Sequence, residues 1–337
     1  MALAYSTPPA RWIIIQNPPS IPTLHIALMA CMLRGTKLMV DWHNYGHSIM
    51  ALNRSPRNPL VWMYKKYETF FGPIVGDVHL TVTDAMAAQL RQKPWKVKAK
   101  RPVVTLHDRP ASYFQPIEST EERRKVLSSI PQTKAAADSI VRGKTRLVVS
   151  STSWTPDEDF GIFLEALVNY AQQQDDKKDQ PVPLLVVITG KGPQKEDFEK
   201  MVKNLEEGGN LPDVKITTAW LSTREYASLL ACADLGVCLH KSSSGVDLPM
   251  KIVDMFGAGL PVVAYSGYQS FGELVREGDN GCGFETQQEF TSHLRRLLGQ
   301  KGQKELGVLK KGAMKEGSRR WDDEWDPVVG KTIGLVE

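Results

Sequence analysis

Apolar and polar positions change rhythm repeatedly along the chain. RWIIIQNPP (11–19) is a run of β-branched residues ended by prolines, which predicts a buried strand. PTLHIALMACMLRG (22–35) has helical spacing and closes at Gly35, and KLMVDWHNYG (37–46) reads as a strand running into a polar loop. PLVWMYKKYETFFG (59–72) predicts a helix stopped by Gly72-Pro73, VHLTVTDAMAAQL (78–90) a strand then a helix capped by Asp84, and RPVVTLHDRP (101–110) a short strand. This βαβ rhythm belongs to a parallel sheet covered on both faces.

Residues 115–145 break the rhythm with Pro, Ser, Thr, Glu and Lys and predict an inter-domain connection with one helix. A second alternation starts at TRLVVSSTSW (145–154) and passes through PLLVVITGKGP, VKITTAWL, DLGVCLH and LPVVAYS, which gives about five more parallel strands with helices between them. QQQDDKKDQP (172–181) predicts a polar surface insert, and MKEGSRRWDDEWDPVV (314–329) a final amphipathic helix with Trp321 and Trp325 one turn apart. The division is therefore residues 1–114, a connection 115–145, a second domain 146–312, and a C-terminal helix and tail 313–337. The fold class is α/β, with two Rossmann-like doubly wound domains facing a cleft, and ligands are expected beyond the carboxyl ends of the strands.

Composition narrows this picture. The 337 residues suffice for two cores, and 42% hydrophobic with 24% charged residues is ordinary for a globular protein. The net charge of +4 suits a phosphorylated ligand or an anionic membrane surface. No basic helix with interleaved aromatics is present, which argues against nucleic acid as a partner. Cys31, Cys232, Cys238 and Cys282 form no CxxC pair and read as buried thiols of a reducing compartment. The most apolar helical stretch, IALMACML (26–33), falls short of the about 18 residues a membrane span needs. The N-terminus lacks the basic start and apolar run of a signal peptide. No Ser-His-Asp or Cys-His motif and no metal-ligand spacing supports a hydrolase or a metal site.

The chemistry is expected in the loops after strands. In SSSGVDLPMKIVDMFGAGLPVVAYS (242–266), Ser242, Ser243, Ser244 and Gly245 form a polar loop able to present hydroxyls and N–H groups to phosphate. Pro249 opens a helix on which Lys251 and Asp254 share a face, Lys251 suited to a phosphate and Asp254 to both hydroxyls of a ribose. Gly190-Lys191-Gly192-Pro193 lies between a strand and a helix, where glycines admit close backbone approach and Lys191 adds charge for a diphosphate. Neither the P-loop nor the GxGxxG spacing is present. Asp157-Glu158-Asp159 invites a metal reading, but carboxylates in a helix's first turn are also what the helix dipole favours, and that reading is preferred. In VDWHNYGHS (40–48), Asp41 or His43 could take a proton from a hydroxyl, and Trp42 and Tyr45 could stack on a sugar, with Asn44 beside them. His107, Asp108 and Arg109 could line the cleft, or Asp108 and Arg109 could pair to hold the connection.

DWHNYGHS, HDRPASYFQP, SSTSWTPDEDFGIFLEAL, TGKGP and SSSGVDLPMKIVDMFGAGLPV together make the chain resemble, over nearly its whole length, the chitobiosyldiphosphodolichol β-mannosyltransferases. The resemblance implies a GT-B architecture, GDP-mannose as donor with no cofactor required, dolichol-linked chitobiose as acceptor, and inversion at the anomeric carbon. It also implies the cytosolic face of the endoplasmic reticulum membrane, with other mannosyltransferases of the pathway as partners. In many GT-B transferases two glutamates stand eight positions apart around the donor helix. Those positions here are Val246, with Asp247 beside it, and Asp254, a partial match that fits an inverting branch. The resemblance assigns Asp254 to ribose, Lys251 and Lys191 to diphosphate, Ser242 to Gly245 to phosphate or mannose, and counts Asp247 among the donor-binding residues. The membrane helix and GDxGRSPR-type loop with which the family begins have no counterpart in this chain, so the first domain is expected to lack roughly 100 residues of a usual doubly wound half. That gap motivates a second reading, a GDP-mannose-binding chain without turnover; a third is a retaining transferase using another sugar nucleotide.

Overall fold

The structure is a computed structural model that describes residues 8–155, 158–172 and 181–336. Asp157 and nearly all of the 172–181 insert lie outside the described residues.

The first sheet contains β1 (Trp12–Asn17), β2 (Lys37–Trp42), β3 (Val78–Thr81) and β4 (Val103–Thr105), all parallel and in consecutive order. Helices α1 (Thr23–Arg34), α2 (Gly46–Asn53), α3 (Pro59–Val75) and α4 (Asp84–Arg91) connect them. α1 ends where Gly35 takes a left-handed conformation, as its position predicts. α3 continues through Pro73 to Val75, because a proline in the last turn forfeits only one bond near a terminus that frays anyway. α4 is capped by Thr83, whose hydroxyl accepts from Met86 N, rather than by Asp84.

The segment expected to be a connection with one helix folds instead into three, α5 (Thr120–Ser129), α6 (Pro131–Lys134) and α7 (Ala137–Val141). Leu127, Ile130, Ala137 and Ile140 are buried with Leu147 and Val149, so these helices belong to the second domain's core. Short amphipathic turns with one or two apolar residues each leave a weak periodic signal, which is why the segment reads as polar.

The second sheet has six described strands, β5 (Arg146–Thr152), β6 (Leu184–Gly190), β7 (Val214–Ala219), β8 (Leu235–Cys238), β9 (Val262–Tyr265) and β10 (Gly281–Phe284), all parallel. β10 carries two glycines in four residues, too little pattern to announce a strand. Between them run α8 (Phe160–Ala171), α9 (Lys195–Glu207), α10 (Thr223–Cys232), α11 (Met250–Gly257), α12 (Phe271–Leu274) and α13 (Gln287–Leu298). The spatial order β10-β9-β8-β5-β6-β7 is the doubly wound order 3-2-1-4-5-6, and its reversal point lies between β5 and β8. Every residue of β5 is buried, as a central parallel strand covered on both faces requires. Val148, Val186 and Val237 face one apolar layer, and Leu147, Val149, Leu185 and Val187 the other.

The tail re-crosses the molecule. After α14 (Gln303–Gly317) and α15 (Trp321–Trp325), Val329 is buried with Met39, Leu80 and Leu106 and covers the far face of the first sheet. Trp321 and Trp325 do stand one turn apart, ring centroids 5.6 Å, but on a short helix of their own rather than on a continuous one.

Candidate functional site

The reversal point between β5 and β8 brings two loops together. Glu158, after β5, bridges to His240, after β8. Glu158 is buried; it accepts from Thr152 Oγ1 and from Ser153 N at 3.1 Å. Its other oxygen lies 2.5 Å from Lys251 Nζ on α11. The cation assigned to diphosphate therefore faces a carboxylate of the opposite loop, and the expected Lys251–Asp254 face is not an ion pair. Asp159, next in sequence, caps α8 at Ile162 N and pairs with Lys241 at 3.1 Å. Glu158 escaped the sequence reading because an acidic triplet ahead of a helix looks like dipole compensation. Its distinguishing sign, a carboxylate two residues from a helix start and six from a buried strand's Thr, is too common to select it.

The serine loop is organised around Asp247. Ser242 Oγ donates to Asp247 Oδ1, Ser244 Oγ donates to the same oxygen at 3.2 Å, and Asn44 Nδ2 of the first domain donates to Oδ2 at 2.9 Å. Burial works to raise the pKa of this carboxyl, but hydrogen bonds from His240 and Ser242 outweigh it and hold the group below the usual range. Both Asp247 oxygens are thus used inside the protein. Asp247 shapes the loop rather than facing a donor, a correction to its sequence assignment. Gly245 stands at φ +78, which a side chain would strain.

Asp254 is different. It sits one turn beyond Lys251 on α11, and its carboxylate takes no hydrogen bond among the described residues. Burial pushes its pKa up to about 7. A desolvated, unpaired carboxyl at a reversal point is a strong binding-site candidate.

The Gly190 turn packs on the same place. A Cβ at Gly190 would overlap the Thr152 carbonyl oxygen, and one at Gly192 that of Ser153. These glycines thus serve close approach of one backbone to another, not only to a ligand. Lys191 between them is exposed, with no ion pair among the described residues. Lys191, through its turn, and Lys251, through Glu158, converge on Thr152 and Ser153, with Asp254 one turn away.

On the first domain, the loop after β2 presents a His–carboxylate pair, His43 Nε2 lying 2.9 Å from Asp41 Oδ2. That hydrogen bond raises the His43 pKa above its ordinary value. Asp108, after β4, is raised by burial and lies in the same electrostatic cluster. Asn44 and Ser48 both reach Ser243, at 3.3 and 3.1 Å, so this loop touches the serine loop directly. Val246 is fully buried in the first domain's core, and Thr83 Oγ1 donates to its carbonyl at 2.6 Å. Glu273 of the second domain accepts from Asp84 N at 2.7 Å and Ala85 N at 2.8 Å, and lies 3.2 Å from His107 Nε2. Asp84, His107 and Glu273 are the described trio whose ligand atoms come close enough for an ion, but Glu273 is committed to those two N–H groups and works as an inter-domain clasp.

Three sequence assignments are corrected outright. Trp42 is fully buried, with Nε1 donating to His79 Nδ1 at 3.0 Å, because it ends a strand on the core side of the pleat; it cannot stack on a sugar. Arg109 lies not in the cleft but against the C-terminal helices, 2.7 Å from Glu316 and 2.6 Å from Glu324. Its partners are over 200 residues away, so adjacent Asp108 was the wrong one. Tyr45 is buried too, its hydroxyl donating to Gln89 at 3.1 Å and its ring stacked on Trp95.

Two parallel-sheet domains, the second in doubly wound order with its reversal point at the loops after β5 and β8, make the architecture of a GT-B glycosyltransferase. Residues 143–300 match the model of the glycosyl transferases group 1 family. The chain belongs to the chitobiosyldiphosphodolichol beta-mannosyltransferase family: it is 50% identical to the member from Arthroderma benhamiae, over 99% of this chain and 74% of that protein. The Mus musculus member is 40% identical, over 95% and 70%. A relative named UDP-glycosyltransferase TURAN from Arabidopsis thaliana is 40% identical, over 96% and 77%. Among solved structures, Anabaena Alr3699/HepE in complex with UDP-glucose superposes with a TM-score of 0.69 at 14% identity, over 99% of this chain and 80% of that one, which speaks to the fold.

Proposed function

We propose that the chain transfers mannose from GDP-mannose to the distal N-acetylglucosamine of chitobiosyldiphosphodolichol, with inversion to a β-1,4 linkage. The observation that carries the mechanism is the 2.9 Å hydrogen bond from Asn44 to Asp247, which holds the loop of Asp41 and His43 against the donor loop. In this scheme the acceptor's 4-hydroxyl attacks mannose C1 on the face opposite the diphosphate. Its proton passes to His43, and Asp41 holds that imidazole and balances its charge. The new oxygen–carbon bond forms as the bond from C1 to the phosphate oxygen breaks, and GDP departs with the electron pair. Lys191, Lys251 and the N–H groups at the starts of α9 and α11 meet the charge on the leaving diphosphate, a role that needs no cofactor. The Asp254 carboxylate accepts from the ribose hydroxyls.

The reading extends to the cytosolic surface of the endoplasmic reticulum membrane. Residues 1–110 carry 14 Lys and Arg against five Asp and Glu, and residues 111–337 carry 28 against 33. Of the 21 exposed large apolar side chains among the described residues, 13 lie between Ile14 and Ile74. No described helix is long and apolar enough to cross a membrane, so this basic, apolar face fits a bilayer surface rather than its interior.

The test is transfer of labelled mannose from GDP-mannose to a chitobiosyl-diphospho-lipid, with anomeric analysis of the product and competition by GDP and UDP. A β-linked product inhibited by GDP supports the proposal. An α-linked product would assign a retaining transferase, inhibition by UDP alone another donor, and GDP binding without transfer a non-catalytic chain.

A further inference from the structure

A cavity of about 360 Å³ lies between the first domain and the serine loop. Lys65 and Thr69 of α3 form one wall, Lys93 another, and Ser243 and Ser244 the end nearest the donor loop. No Asp or Glu lines it among the described residues. Neither lysine ammonium makes an ion pair or hydrogen bond among the described residues. The one carboxylate behind this wall, Glu68, is fully buried and turned inward. It accepts from Asn17, Ser20, the Gly46 and His47 N–H groups and the His47 ring, and pairs with neither lysine. Two cations without a carboxylate partner, facing one cavity, make a site for a compact, multiply charged oxyanion.

Among the described residues, the cavity draws none from the β5 or β6 loops or from α11. It is therefore separate from the reversal-point cluster, with the serine loop as the partition between them. Beyond its α3 wall, Trp62, Met63 and Phe70 expose apolar surface, at 62%, 53% and 65%. The cavity and the adjoining surface of α3 thus carry hydroxyls, cations and apolar side chains. A sugar–diphosphate–lipid has the matching set of groups.

We infer that this cavity binds the acceptor's diphosphate, with Lys65 and Lys93 on its oxygens, the sugar toward Ser243 and the lipid leaving across the apolar side of α3. The inference rests on the mannosyl-acceptor reading above and adds to it a site for the acceptor's charged group. The cations of the two substrates are thus divided, Lys191 and Lys251 for the donor and Lys65 and Lys93 for the acceptor.

The experiment compares wild-type chain with Lys65→Ala/Lys93→Ala and Lys65→Arg/Lys93→Arg. The probes are chitobiose joined through diphosphate to a phytanyl chain, and GDP. Acceptor KM and direct acceptor Kd are expected to rise tenfold or more in the alanine pair, with GDP Kd within twofold of wild type and near-complete recovery in the arginine pair. Both lysines are exposed, so equal thermal melting of the three proteins is expected. Unchanged acceptor affinity overturns the inference, and so does a parallel loss of GDP affinity, which would give the cavity to the donor. If wild type transfers no mannose, the transferase reading falls by itself, and the direct acceptor Kd still decides the cavity.

Discussion

Lys251 Nζ lies 2.5 Å from Glu158 Oε1, across the reversal point of the second sheet. The Glu158 side chain is 1% exposed, so the pair is effectively a buried one, in which removing one partner strands the other's charge. Lys251→Met is expected to cost about 3–5 kcal/mol of stability, the usual penalty for a stranded buried charge. The double variant Lys251→Met/Glu158→Gln is expected to recover most of that stability in chemical denaturation. It should not recover GDP affinity, measured by calorimetry, because the ammonium is absent in both. Recovery of both together would make Lys251 a structural residue only.

Asp254 sets a pH dependence of opposite sign for stability and for binding. Its folded pKa, about 7, stands above the ordinary 3.8. The folded state therefore holds the proton more tightly. Stability falls as pH rises from the lower value through about 7, by about 1.4 kcal/mol for each pH step of one across that interval. Asp254→Asn removes that penalty and is expected to melt higher than wild type at pH 8 and nearly level with it at pH 4. Ribose hydroxyls donate to the ionised form, so wild-type GDP affinity is expected to rise with pH through about 7 and that of Asp254→Asn to stay weak and flat. A pH-independent wild-type affinity would take Asp254 out of the donor site.

His43 should appear in turnover instead. As a base it must be unprotonated, and its hydrogen bond to Asp41 raises its pKa above 6.5. The kcat profile is expected to rise with pH along a limb whose midpoint lies above 6.5. Asp41→Asn removes the largest cause of that rise and should move the midpoint down. His43→Gln is expected to lower kcat by roughly 10²–10⁴ while GDP Kd stays unchanged. A His43→Gln enzyme with wild-type kcat would leave Asp108, raised by burial in the same cluster, as the next group to test.

What the sequence made legible follows from how local each signal is. The βαβ alternation, the loop at Ser242–Gly245 and the helix carrying Lys251 and Asp254 are read from neighbours in the chain, and they stand where expected. The errors arise where the deciding partner is remote. Trp42 sits in a polar stretch, but the pleat turns it toward His79, 37 residues on. Arg109 answers to Glu316 and Glu324, and Val246, a donor-loop residue by position, fills the other domain's core. Asp247 was assigned to the donor because it stands beside Val246, one of the two positions where many GT-B transferases carry a glutamate. The aspartate is instead the acceptor that Ser242 and Ser244 share, which leaves Ser243 as the one serine of the loop not bonded to it.

The basic apolar face of the first domain yields the last prediction. Between residues 8 and 76 the acids are Asp41, in the cleft, and Glu68, fully buried, so Arg54, Arg57 and Lys66, whose Nζ lies 5.7 Å from the Trp62 ring centroid, share their stretch of sequence with Trp62, Met63 and Phe70 and with no exposed acid. Each basic residue at an anionic surface contributes about 1 kcal/mol. Arg54→Glu/Arg57→Glu/Lys66→Glu is therefore expected to weaken binding to phosphatidylserine-containing vesicles on the order of a hundredfold or more. Trp62→Ser/Met63→Ser/Phe70→Ser removes the apolar part and should weaken binding to neutral and anionic vesicles alike, whereas salt should relieve only the anionic share. Co-sedimentation reads both. Equal sedimentation of all three proteins would remove the bilayer as the partner of this face, and a dimer lost in the apolar variant would give the face to a second copy of the chain.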